Sequence, residues 1–199
     1  MFLFIISAFI VAGVSTTEGT TCNNFDLVVC AFLVDGDRTA KSGFAETEDS
    51  LDKRCDQTLP VLKCLSDYGA KCPETSFKHL ADFFGDEYKT QTKICTKNDE
   101  LRQRYLTYSK CLNMHRKSTE DKCGKLLEFE EANQFTVEHC KNYEENFQCS
   151  LKEIQKSCGK DAMLLLTDVL TPVHNFMEVA CKDFQDLHDF AMLKSVLSR

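Results

Sequence analysis

Cysteine carries most of the latent chemistry in this chain: there are twelve among 199 residues. A cysteine can serve as a thiolate nucleophile, a metal ligand or half of a disulfide, and its spacing and compartment decide which. No Cys-x-x-Cys and no His-Glu-x-x-His occurs, so neither a zinc ribbon nor a zincin is indicated. The five histidines, His79, His115, His139, His174 and His188, stand singly along the sequence. His139 does neighbour Cys140, but an even number of exported cysteines reads as bridges, and no metal site is expected. His188 and Asp189 are adjacent, yet adjacent residues on a helix point in different directions. Nucleophile elbows and phosphate-cradling glycine loops are absent, and an even count leaves no thiol free for catalysis. The chain therefore reads as a non-enzyme without a cofactor.

The compartment follows from the N-terminus. Residues Phe2 to Val14 carry no charge and are rich in Phe, Leu, Ile, Val and Ala. That length suits the apolar region of a signal peptide, whereas a bilayer-spanning helix needs about 20 residues. Gly13 and Ser15 are small residues fit for a cleavage site, so residues 1–15 are expected to be a signal peptide. No later run is apolar enough to span a membrane, and the protein is expected to be secreted and extracellular. A net charge of -7 argues against nucleic acid or an anionic membrane as main partner. The densest basic patch, Arg116-Lys117 with Lys122 to Lys125, reads as a solvated helix face.

The elements that must position the cysteines are helices. Only 3 prolines and 8 glycines punctuate the chain, and period-2 alternation is absent. Met163, Leu166, Val169/Leu170, Val173, Phe176/Met177 and Ala180 form an apolar stripe that Pro172 should kink. Phe77, Leu80 and Phe83/Phe84 form another behind Pro73. Leu101, Tyr105, Tyr108 and Leu112 follow Asn98, a suitable N-cap. Phe25, Val28/Val29 and Phe32 predict an opening helix, and Phe184, Leu187, Phe190/Ala191 and Leu197 a closing one over 185–199. Asp35 to Glu48 reads as the longest loop. Ser118 with Asp121 predicts a helix restart, and Gly159, Gly69 and Gly85 are expected at helix ends.

Six cysteines fall in each half, residues 22–95 and 111–181, of a domain spanning 22–184. The last four in each are separated by 8, 7 and 22 residues, then by 8, 8 and 22. Cys55 and Cys64 lie nine positions apart, about 13.5 Å of helical rise, while a disulfide needs Cα atoms about 4.4–6.8 Å apart. Bridges must therefore join one helix to another. In an antiparallel pair, residues at one level have a roughly constant sum of numbers. Cys22 with Cys72 and Cys30 with Cys64 both sum to 94. Cys111 with Cys158 gives 269 and Cys123 with Cys149 gives 272, a slip that a break at Ser118 would absorb. Cys140 and Cys181 lie about equally far from Gly159, and Cys55 and Cys95 mirror them around Pro73. The alternative is Cys111–Cys123 across a turn at Ser118, with Cys149 and Cys158 paired elsewhere. Each native bridge typically contributes about 2–4 kcal/mol, which suits two small helical units near the edge of stability.

Segments such as CDQTLPVLKC and CKNYEENFQC, followed by ICTKND and ACKDF, together with the cysteine count, resemble a nematode secreted family. That family is the twelve-cysteine domain of unknown function nineteen, and the resemblance covers roughly Cys22 to Phe184. It implies an extracellular location, and it brings no activity and no catalytic motif. The expected architecture is all-α: a disulfide-stapled helical domain of two pseudo-repeated six-cysteine halves. The expected function is an extracellular protein-interaction or structural module, its partner an unknown extracellular protein. The second reading is a carrier of a lipid or other apolar small ligand, since helical disulfide-rich shells suit an apolar cavity.

Overall fold

The computed structural model describes residue 30 and residues 43–72, 78–126 and 137–186; for 78–80, 137–139, 141 and 183–186 it describes the backbone alone. The expected signal peptide, the opening helix, Phe77 and residues 187–199 lie outside the described residues. Those residues form an all-helical structure of five helices: α1 (Glu48–Lys71), α2 (Lys78–Cys95), α3 (Glu100–Cys123), α4 (Val137–Cys158) and α5 (Lys160–Asp186).

A reciprocal capping box opens α1. Thr47 Oγ1 accepts from the Ser50 amide at 3.2 Å, and Ser50 Oγ accepts from the Thr47 amide at 3.1 Å. Glu48 and Asp49 in the first turn and Lys71 in the last suit the helix dipole. Leu51, Cys55, Leu62, Leu65 and Gly69 make the buried stripe. Pro60 sits inside α1 and Pro172 inside α5, and neither ends its helix. Each lacks the amide that would bond four residues back, so the carbonyls of Asp56 and Asp168 lose that partner. Pro172 is fully buried, and its ring repays the lost bond through packing.

Several expected breaks are absent. α3 runs unbroken through Ser118, whose Oγ donates to the His115 carbonyl at 2.9 Å instead of capping a new helix. Gly85 lies in the interior of α2, and Gly69 lies in the last turn of α1 without taking the positive φ of a terminating glycine. Asn98 does not cap α3; it takes φ 72° in the turn, and Asp99 Oδ1 accepts from the Leu101 amide at 2.8 Å. Asparagine tolerates the left-handed region, so it makes the turn while the aspartate one position on makes the cap. Gly159, at φ 93°, separates α4 from α5 as its spacing suggests. α5 continues past Cys181 to Asp186, the last described residue.

One apolar core crosses both halves. It joins Leu51, Phe83 and Ile94 to Leu101, Tyr105, Leu112, Phe147, Leu165, Val173 and Met177. α5 touches α2, α3 and α4 and carries the most deeply buried leucine, Leu165. Phe83 of α2 meets Phe176 of α5 with ring centroids 5.3 Å apart, an aromatic contact between the halves. A smaller cluster of Cys30, Val61, Leu65, Tyr68 and Cys72 lies at the far end of α1.

Candidate functional site

Five bridges are described. Cys30–Cys64 and Cys55–Cys95 belong to the first half; Cys111–Cys158, Cys123–Cys149 and Cys140–Cys181 belong to the second. These are pairs that antiparallel register yields. Cys72 is also disulfide-bonded, and Cys22, its expected partner, lies outside the described residues. Cys111 pairs across to α4 and not with Cys123, because the unbroken α3 holds those two about 18 Å apart along one axis. Two bridges clamp α3 to α4, one near each end of their contact, and Cys140–Cys181 clamps α4 to α5.

One of these bridges has company that the sequence did not advertise. His115 stands one turn after Cys111 on α3, and Cys158 is the last residue of α4. The two sulfurs and an imidazole nitrogen all lie within 4.8 Å of one another, and all three residues are partly exposed. His115 is thus single in sequence but clustered in space. The i, i+4 spacing of Cys111 and His115 was the available signal. His139 and His188 fall outside the described side chains.

A second constellation is ionic. Arg102, only 3% exposed, donates to Asp52 Oδ1 at 2.7 Å, to Glu48 Oε2 and, at 3.4 Å, to the Ile94 carbonyl. It thereby ties the start of α3 to the start of α1 and the end of α2. Burial opposes the guanidinium charge, but the bonds from Glu48 and Asp52 outweigh it and hold its pKa above the ordinary value. Beside it, Tyr105 Oη accepts from the Ala45 amide at 3.1 Å, and Asn113 exchanges two hydrogen bonds with the Phe44 backbone. Residues 43–47 are thus laid along α3.

Within the basic patch, Arg116 pairs with Glu120, and Lys122 pairs with Glu153, holding that carboxyl below its ordinary pKa. His174 lies over the Phe147 ring at 4.6 Å, with Glu144 3.8 Å away. Glu87 is buried on α2, where Gln91 donates to one carboxyl oxygen and the other has no hydrogen-bond partner among the described residues. Burial pushes its pKa up to about 7, against the opposing Gln91 bond.

An open depression of about 510 Å³ lies where the end of α2, the start of α3 and the middle of α5 meet. Lys93, Asp99, Glu100, Arg104, Asp168 and Thr171 line it, and Arg104 pairs with Asp168 on its wall. Charges of both signs border it. No helix among the described residues is long and apolar enough to cross a membrane. No family model, no curated protein and no solved structure matches the chain.

Proposed function

We propose that the chain is an exported, non-catalytic module that contacts other proteins in extracellular fluid or matrix, in keeping with its resemblance to the nematode twelve-cysteine family. The observation that carries this reading is the placement of the staples. Four of the five described bridges join pairs among α1 to α5, and they surround a core whose central residues, Ile94, Leu165 and Ala162, are fully buried. Such an arrangement supports a rigid platform that outlasts proteolysis and dilution outside the cell. The mixed-charge, open depression suits polar contact with a protein surface better than enclosure of an apolar molecule.

The test begins with the full chain purified after secretion and extracted into organic solvent for mass spectrometry. No apolar molecule is expected at one per chain; a stoichiometric lipid overturns the reading in favour of a carrier. A partner captured from extracellular fluid should be lost on Lys93→Glu or Glu100→Lys, both exposed, while helicity is retained.

A further inference from the structure

The geometry at the junction of α3 and α4 points to a redox-controlled cation site made of Cys111, His115 and Cys158. We infer that reduction of the Cys111–Cys158 bridge creates a three-ligand site for one thiophilic divalent cation of the zinc class.

Three observations converge on it. The His115 ring nitrogen already lies within 4.8 Å of both sulfurs of the bridge, and no other trio of His, Cys, Asp or Glu ligand atoms among the described residues is gathered so closely. Tetrahedral coordination with Zn–S near 2.3 Å and Zn–N near 2.0–2.1 Å separates neighbouring ligand atoms by roughly 3.3–3.8 Å, so side-chain rotation alone brings the trio into range. The Cα atoms of Cys111 and Cys158 are 5.9 Å apart, a distance two thiolates on one ion can span.

Access comes next. Both cysteines are partly exposed, as are Cys140 and Cys181, whereas Cys30, Cys55 and Cys123 each bury one end of their bridge. An external thiol reaches Cys111–Cys158 more readily than those three. The last observation is retention of structure. With this bridge open, Cys123–Cys149 still clamps α3 to α4, and Cys140–Cys181 still clamps α4 to α5. Tyr108 Oη, 3.4 Å from Asp161 Oδ2, braces α3 against the start of α5 near the site. The freed thiols therefore stay opposed instead of drifting apart.

The chemistry balances with a low-molecular-mass thiol as reductant. Two external thiols give up two electrons and two protons and become one external disulfide, while the Cys111–Cys158 S–S bond breaks to two thiols. Cation binding then releases the two thiol protons, and neutral His115 supplies the third ligand through a ring nitrogen. An external disulfide reverses the sequence, re-forming the bridge and expelling the ion, so the corner holds either a bridge or a cation.

The experiment uses the full secreted chain. It is reduced in steps with a phosphine, desalted without oxygen and titrated with cobalt(II), while a parallel sample is alkylated and its modified cysteines are mapped. The expected result is that Cys111 and Cys158 are alkylated before the Cys30–Cys64, Cys55–Cys95 and Cys123–Cys149 pairs. One cobalt per chain then binds with thiolate-to-metal charge-transfer absorption and unchanged far-ultraviolet circular dichroism. The oxidised chain and the C111S/C158S double variant, checked for native helicity, should bind none. His115→Ala should reduce at the same step yet bind more weakly by at least the roughly tenfold that even outer-shell contacts are worth. If one of those three buried bridges opens first, if the opened Cys111–Cys158 pair takes up no cobalt, or if His115→Ala binds as tightly as the parent, the inference is overturned.

Discussion

Gly69 of α1 faces Ala81 of α2 so closely that a Cβ built on the glycine would stand 2.3 Å from the alanine Cβ and 2.8 Å from its Cα. The glycine sits in the last turn of α1, where these two helices need its bare backbone. Gly69→Ala should therefore destabilise the oxidised protein by about 1–3 kcal/mol, since the obstructing atoms are a backbone carbon and a rigid methyl. Gly85→Ala is the contrasting case: its Cβ would meet only Ser66 Oγ at 3.7 Å, so helix propensity should raise stability by up to about 1 kcal/mol. Non-reducing chemical denaturation of the two variants measures both, and equal effects would sink the close-packing account.

Arg102 is the buried partner of two partly exposed carboxylates, and the asymmetry sets what its loss should do. Arg102→Ala removes both ion pairs and the long apolar stem, and should cost about 2–4 kcal/mol. Arg102→Met keeps the stem and leaves Glu48 and Asp52 to turn toward water, so it should cost less than half as much. Asp52→Ala leaves Glu48 on the guanidinium and should be the mildest of the three. Thermal unfolding without reductant gives the ranking.

Glu87 should make stability fall as pH rises. Its folded pKa, about 7, lies above the ordinary 4.5, so the folded state holds the proton more tightly than the unfolded one. The favourable contribution is complete below pH about 4.5 and is lost as pH climbs through about 7, a change of up to about 3 kcal/mol. Glu87→Gln keeps an oxygen to accept from Gln91 and cannot ionise. It should match the parent at pH 4.5 and be the more stable protein at pH 8. An unchanged pH profile in the variant would show that water reaches the carboxylate.

Covalent connectivity and packing should come apart in one experiment. All five described bridges stay within their own half, while the core crosses between halves. A specific protease site inserted in the exposed turn after Cys95, at Lys97–Asn98, should give a nicked protein whose fragments travel together under native conditions. They should separate in denaturant without reductant, and no thiol should titrate in either fragment. Fragments that remain joined in denaturant would reveal a bridge between the halves.

The helical class and the cross-linking logic were legible in the sequence, for a geometric reason. Helical rise is constant, so cysteines at roughly matched distances from a turn come level in an antiparallel pair, and Cys140 and Cys181 stand in that relation about Gly159. Local boundary signals were less informative where two outcomes differed by little energy. Ser118 resembled a cap yet remains inside α3, because one continuous face runs through it: Leu112, Thr119 and Cys123 share that face and are buried, and Cys123 must reach Cys149. Asn98 and Asp99 are both good caps, and the turn after Cys95 decided between them.

The tertiary structure alone decided what meets across long separations. Nothing near Gly69 in sequence announces Ala81, and nothing around His115 announces Cys158, 43 positions later on another helix. The single core was likewise hidden by matching cysteine spacing, which suggests two self-contained units. Spacing records the distances along each helix, whereas the contact of Phe83 with Phe176 depends on how α2 and α5 are laid together. Periodicity tells a helix which face to bury, and only packing tells it against what.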